Sequence, residues 1–464
     1  MTGTRQPHIL LVVENVALAR DHRLQKQVAS LHGHGYRVTV ICCGDLGNEC
    51  PAGVGLRTYR APADGTGKLG FAWEYGYSFA MAAWLAAGVF RRDPFDAIQV
   101  SGTPDIYFAL AAPYRLLGRP LVLDQRDLSP ELYELRYGRR GAGYRALRWL
   151  ERRSYRAADQ VITVNASLRE VALTRGGVPP EAVTVVGNGP VLASTRRREP
   201  RPELKHGKPF LCCWLGHMGP QDRLDLAVAA AGHLIHDIGR TDCHFAFVGD
   251  GEARIHAIRL ATQLGISQWV SFPGWAGQDE AFTYLSTADV GLEPNMEEIV
   301  SPVKGMEYMA FGLPFVAFDL TETRVLAGEA AVYARPKDVP GFARLIGDLL
   351  NDPARRAALG HAGRQLVAER VAWDRQEDAY LGVYERLLGE PRAGLAAVAE
   401  EPTGADVAAG AETFSGAGVA AGAASAAGTG VEGRRRSRRP GREARSVEGR
   451  RRSRRPGRGA RTVV

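Results

Sequence analysis

Residues 191–216, VLASTRRREPRPELKHGKPFLCCWLG, decide the architecture. The first part, 191–208, is polar, charged and proline-containing, which is the composition of a linker. It gives way to PFLCCWLG (209–216), a short, continuously apolar run of the kind buried on both faces of a parallel sheet. Six such runs precede the linker: HILLVV (8–13), RVTVIC (37–42), AIQVSG (97–102), PLVLDQ (120–125), QVITVN (160–165) and AVTVVG (182–187). Longer amphipathic stretches lie between them, such as DHRLQKQVASLHGHG (21–35), closing on glycines where a helix C-terminus wants them. After the linker the rhythm restarts with PFLCCWLG, HFAFVGDG (244–251), WVSFPGW (269–275), VGLEP (290–294), PFVAFDL (314–320) and AAVYARP (330–336). The pattern predicts two doubly wound α/β domains, 1–190 and 209–371, with 191–208 between them and a last helix over 372–390 packing back toward the first domain. Ligands of such sheets bind outside the carboxyl ends of the strands, so the interdomain cleft is the expected site.

Composition narrows the function classes. The chain has 464 residues, of which 45% are hydrophobic, enough for two cores. The N-terminus MTGTRQPHILLVVEN runs straight into a strand-like segment, which predicts no secretory signal and a cytoplasmic protein. No apolar run is long enough to span a bilayer, and FAMAAWLAAGVF (79–90) reads as a packed helix. The cysteines at 42, 43, 50, 212, 213 and 243 have neither metal-ligand spacing nor a disulfide pattern. The net charge of +8 is concentrated in one place. Residues 431–464 hold 14 Arg against 3 acidic residues, a net of +11, which leaves the rest of the chain at −3. From 391 the chain is Ala/Gly-rich and then Arg-rich, with VEGRRRSRRPGR at 431–442 and again at 447–458. That composition buries no core and predicts a disordered tail.

The chemistry is concentrated in SPVKGMEYMAFGLP (301–314). Ser301 suits an N-cap and Pro302 a first helical position, which would leave the N–H groups of Val303 and Lys304 pointing out of a helix N-terminus. Such amides, the helix dipole and the Lys304 charge make an anion site. Glu307, one turn deeper on the same face, suits acceptance of two vicinal hydroxyls, as in a ribose. The physical reading is a grip for a nucleotide diphosphate. An exposed Lys–Glu pair on an ordinary helix fits the spacing equally well.

This stretch resembles the donor-binding helix of the family 4 retaining glycosyltransferases, whose GT-B fold sets two Rossmann-like domains face to face. Further segments agree in order: LGHMGPQD (215–222), FVGDGEAR (247–254), SFPGW (271–275) and LSTADVGLEP (285–294) in the second half, with LDQRDLSPELY (123–133), ERRSYRAADQVITVNASLRE (151–170) and VTVVGNGP (183–190) in the first. The resemblance covers about residues 8–390. It implies donor contacts at Gly216, His217, Gly249, Gly251 and Trp275 besides Ser301, Val303 and Glu307. It implies a catalytic set of Asp127, Arg126 and Lys304, and no essential metal or other cofactor. Asp127 would hydrogen-bond the donor sugar or the acceptor; alternatively Asp127 or Ser129 caps the following helix. Arg20 and Asp21, in the loop after the first strand, would touch sugar or acceptor.

Two departures from the family pattern stand out. Where many members carry the first of two glutamates seven residues apart, this chain has Ile299, with Glu307 as the second. Where many carry an Arg and a Lys in the first loop of the second domain, this chain has His217 and Asp222, so that Lys304 would supply the missing cation. Residues 136–156, RYGRRGAGYRALRWLERRSYR, hold eight arginines and one glutamate, with Trp149 and Tyr155 interleaved. That patch and the Arg-rich tail are candidates for contact with an anionic membrane; a solvated helix face is the plainer reading.

The resemblance implies transfer of a sugar from a nucleotide-diphosphate donor to a glycan or lipid-linked acceptor, with retention, in envelope or exopolysaccharide synthesis at the inner membrane face. A nucleotide-sugar epimerase and a catalytically degenerate GT-B partner share the architecture. Nucleic-acid binding rests on the arginine tail alone and is not expected.

Overall fold

Continuous apolar runs rich in Val and Ile favour strands covered by helices on both faces, and the structure builds two such sheets. It is a computed structural model describing residues 5–14, 16–44, 50–60, 67–103 and 105–389. The tail from 391, including both arginine repeats, lies outside the described residues.

The first sheet contains β1 (His8–Val13), β2 (Arg37–Cys43), β3 (Gly55–Tyr59), β4 (Ala97–Ser101), β5 (Leu121–Gln125), β6 (Gln160–Thr163) and β7 (Val183–Val185), all parallel, in the order β3-β2-β1-β4-β5-β6-β7. Its helices are α1 (His22–Gly33), α2 (Gly67–Arg92), α3 (Phe108–Arg115), α4 (Ser129–Tyr137), α5 (Ala142–Ala157) and α6 (Ala166–Val171). FAMAAWLAAGVF lies inside α2, with Ala82, Ala86 and Val89 turned into the core. The edge strand β3 was not legible as a strand. Its GLRTY is largely exposed and lacks the apolar run that marks its neighbours.

The second sheet contains β8 (Phe210–Leu215), β9 (Cys243–Val248), β10 (Val270–Gly274), β11 (Val290–Glu293), β12 (Phe315–Phe318) and β13 (Ala331–Ala334), in the order β10-β9-β8-β11-β12-β13. It carries α7 (Leu224–His236), α8 (Arg254–Gln263), α9 (Gln278–Thr287), α10 (Val303–Phe311), α11 (Thr321–Ala327), α12 (Val339–Asn351) and α13 (Pro353–Leu366). Strand order reverses between β1 and β4, and again between β8 and β11. Connections leave those neighbours in opposite directions, which opens a crevice at their carboxyl ends.

The last helix, α14 (Trp373–Leu388), completes the core of the first domain. Trp373, Tyr380, Leu381, Val383 and Tyr384 pack with Ile9, Leu11, Leu24 and Val28. The Trp373 indole donates to Ser30 Oγ at 2.9 Å, and the Tyr380 hydroxyl to Gln99 Oε1 at 3.1 Å. Five of the six cysteines are buried and Cys50 is half-buried; all are free thiols. Among the described residues no helix is long and apolar enough to cross a membrane.

Because Trp373 joins α14 to β1 and α1 in one core, Trp373→Ala is expected to cost about 3–5 kcal/mol by cavity formation. Urea denaturation of the variant against wild type measures it, and a loss under about 1 kcal/mol would contradict this role.

Candidate active site

The carboxyl ends of both sheets meet at a cleft enclosing about 880 Å³ open to solvent. The first domain contributes Arg126, Asp127, Leu128 and Glu131 from the β5–α4 turn, and Leu168 from α6. The second contributes His217 and Asp222 after β8, Glu293 and Asn295 at the end of β11, and Ile299–Lys304 leading into α10.

The start of α10 differs in detail from the sequence expectation. The helix begins at Val303 with Pro302 as N-cap, so Ser301 is not the cap and makes no side-chain cap bond. The reason is local: the Val303 N–H donates to the Ser301 carbonyl at 2.9 Å, closing a tight turn just before the helix. That amide is therefore already used. Ser301, Val303 and Lys304 nevertheless all line the cleft.

Lys304 is not a free cation. Its ammonium donates to Asp222 Oδ1 at 2.6 Å and lies 5.3 Å from the Trp214 ring centroid. Burial by itself would lower the Lys304 pKa, but Asp222 and Glu293 outweigh it and hold the ammonium above its usual value. Asp222, standing where a loop cation is common in the family, is thus the counter-ion of Lys304. Glu293 is buried, and one of its oxygens has no hydrogen-bond partner among the described residues. Burial pushes its carboxyl up, and Lys304 with the amides of Asn295 and Gly305 offsets this only in part.

Across the cleft, Arg126 is anchored rather than loose. Its Nε donates to Asp124 at 2.9 Å and its Nη1 to Asp21, while Nη2 is buried without a partner among the described residues. Asp21 caps α1 by accepting from the Leu24 amide at 2.9 Å, so it acts through Arg126 and the helix and does not line the cleft. Arg20 is exposed and stays outside the cleft as well. Asp127 is half-buried; burial raises its carboxyl to about 7, with Arg126 opposing and Asp105 adding to the rise. Neither Asp127 nor Ser129 caps α4. Leu128 holds the N-cap position, and the Ser129 hydroxyl donates to Asp105 at 2.8 Å.

Gly216, Gly249, Gly251 and Trp275 do not line the cleft. Gly249 has φ +135°, and a Cβ there would lie 1.8 Å from the Gly216 carbonyl oxygen. This glycine allows the loops after β8 and β9 to stack backbone on backbone. Trp275 is 58% exposed at the end of β10. Glu307 is 9% exposed, one turn into α10. It faces Lys26 of α1, whose ammonium is lowered to about 7 by burial and by Arg23, with Glu307 and Asp21 opposing. Lys26 donates to Asn188 Oδ1 at 3.0 Å and to the Gly189 carbonyl at 2.7 Å and does not line the cleft. Glu293 does line it; it lies within LSTADVGLEP, but the sequence did not single it out as a site residue.

Ile299 accounts for the missing first glutamate in part. It packs against Leu128, Val164, Leu168 and Val171 of the first domain, and its carbonyl accepts from Asn165 Nδ2 at 2.9 Å. The position serves as an apolar plug across the cleft. A second bridge runs from the Ser167 amide to Glu322 Oε1 at 3.1 Å.

The chain matches the Glycosyl transferase 4-like domain over residues 21–189 and the Glycosyl transferases group 1 domain over residues 209–352. It belongs to the family 4 glycosyltransferases. This glycosyltransferase is 26% identical to the MMP alpha-(1->4)-mannosyltransferase of Mycolicibacterium hassiacum, over 67% of its own length and 75% of that protein. It is 27% identical to the 2-deoxystreptamine glucosyltransferase of Streptomyces kanamyceticus, over 67% of its length and 84% of the relative. Its fold matches sucrose-phosphate synthase from Thermosynechococcus elongatus with a TM-score of 0.67 at 18% identity, covering 82% and 99% of the two chains. Anabaena HepE in complex with UDP-glucose matches with a TM-score of 0.62 at 15% identity, covering 82% and 99%. These solved structures establish the GT-B architecture.

The Asp127 carboxyl yields a signed pH prediction. Its folded value lies above that of an ordinary aspartate, so the neutral carboxyl is favoured in the folded state. Stability that depends on this protonation is present below about pH 4 and is lost as pH rises toward about 7. Asp127→Asn, neutral throughout, should match wild type in melting temperature near the acid end and exceed it increasingly up to about pH 7. A difference that is constant with pH, or that shrinks as pH rises, would refute the assignment.

Proposed function

We propose that the protein moves a sugar from a nucleotide-diphosphate donor to a hydroxyl of a glycan or lipid-linked acceptor, with retention of anomeric configuration. The observation carrying this reading is the placement of Lys304 and the α10 N-terminus opposite Arg126 and Asp127 in one cleft. The helix end, with the Lys304 ammonium beside it, favours the diphosphate as charge develops on its departure. Arg126, with its Nη2 unpartnered among the described residues, offers a further donor from the other domain. Glu307 would accept the ribose hydroxyls. Asp127 would accept from the sugar or from the incoming hydroxyl. The complexes of HepE with UDP and with UDP-glucose support a nucleotide-sugar donor here. The acceptor does not carry over, because the relatives' names differ in it.

Contact with an anionic membrane surface through α5 fits a lipid-linked acceptor. Trp149 is 55% exposed, with the Arg153 guanidinium 5.2 Å from its ring centroid, and an aromatic and basic helix face suits the headgroup region. Co-sedimentation with phosphatidylglycerol vesicles, weaker for Trp149→Ala and absent with zwitterionic vesicles, is the expected result. Equal recovery with both vesicle types would remove the membrane contact.

The donor grip is tested by hydrolysis and binding across UDP-, GDP-, TDP- and ADP-sugars with EDTA present. One donor is expected to bind without metal. Lys304→Ala should lower kcat by about 10²–10³, and Glu307→Ala should weaken donor binding about tenfold or more. Unchanged KM and kcat in Lys304→Ala, in a variant that melts normally, would sink this role.

A further inference from the structure

Beside the main cleft lies a second, narrow recess enclosing about 350 Å³ that includes open solvent, lined by Val13, Glu14, Gly102, Thr103 and residues 124–127. The two share Arg126 and Asp127. The recess sits at the carboxyl ends of β1 and β4, where the strand order of the first sheet reverses. Glu14 follows β1 directly and is 2% exposed. Both of its carboxylate oxygens are buried, and neither has a hydrogen-bond partner among the described residues. Gly102 keeps the wall tight at φ +121°, since a Cβ there would stand 3.0 Å from Glu14 Cβ.

The unmet groups around this recess are mostly acceptors. Among the described residues the lining acceptor Gln125 Oε1 is also buried without a partner, against one unmet donor in the lining, Arg126 Nη2. The charges nearest Glu14 have its own sign: burial pushes its carboxyl well up, and Glu74 from α2 and Asp105 push it further. Among the described residues no group of three or more His, Cys, Asp or Glu is disposed to hold a metal ion. A buried carboxyl with no counter-ion is relieved by a ligand that brings hydrogen-bond donors and positive charge. An ammonium supplies three donors and a full charge in a compact group; a neutral hydroxyl supplies one donor and no charge.

We infer that this recess receives the ammonium of an amine-bearing sugar or cyclitol, held against Glu14 and Gln125, with a hydroxyl of the same ring turned toward Asp127 in the main cleft. Describing that molecule as the acceptor rests on the transferase reading above; the amine preference of the recess does not.

Glucosamine and glucose are suitable probes, because they differ at one group. Calorimetric titration of the full chain at neutral pH should show glucosamine binding at least about tenfold more tightly than glucose. The isosteric Glu14→Gln variant, confirmed as folded by its melting curve, should bring the two within about twofold. Equal affinities in wild type, binding of neither sugar, or a preference that survives in Glu14→Gln would overturn the inference. Wild type that prefers glucosamine but hydrolyses no nucleotide sugar would uphold the amine site while the transferase reading fails.

Discussion

The site is organised around one buried carboxylate, Asp124. It accepts from Arg23 at 2.9 Å, from Arg126 at 2.9 Å and from Gln27 at 3.0 Å. Burial would raise its pKa, but the two guanidiniums hold it far below the usual carboxylate range. Gln27 in turn accepts from Gln99 at 3.0 Å, and Gln99 accepts from Tyr380 of α14. A polar chain therefore runs from the terminal helix through the first sheet to the cleft. The Arg23–Asp124 ion pair is buried, and removing one partner of such a pair costs about 3–5 kcal/mol because the other charge is left unmatched. This network holds Arg126 in the wall of the cleft, with Nη2 unpartnered among the described residues.

The second domain shows a parallel exchange of charges. The loop after β8 offers His217 and Asp222, and Asp222 holds Lys304 from α10, beside Glu293. The cation of this wall of the cleft thus comes from the helix, and an acidic residue of the loop orients it. Ile299 follows the same logic for shape. A position that carries a carboxylate in many family members here fills an apolar seat between domains and adds a backbone hydrogen bond to Asn165.

Strands with continuous apolar runs, the linker and the helix at 303–311 were legible because local pattern and tertiary burial agree for them. β3 was not, because an edge strand needs only one paired side and its GLRTY stays mostly exposed. The start of α10 was off by the width of a cap. Ser-Pro is a good start signal, but a backbone turn from Val303 to Ser301 took over the role of the side chain. Gly249 and Gly251 could be found as motif glycines, but whether they meet a ligand or another loop depends on how β8 and β9 sit side by side.

By itself the sequence determined two parallel α/β domains and the helix that presents Lys304 and Glu307, since these rest on periodicity and on residues close along the chain, and the family through the ordered set of motifs it resembles. Tertiary structure alone decided which charges are free. Arg126 and Asp127 are adjacent in sequence, but the first is tied down by Asp124 and Asp21 while the second is left with a raised carboxyl. Lys26, Glu293 and Glu14 were not singled out by the sequence, and they enter the picture through what surrounds them. Burial and the nearest counter-charge set their ionisation, and those neighbours come from strands and helices far apart in sequence.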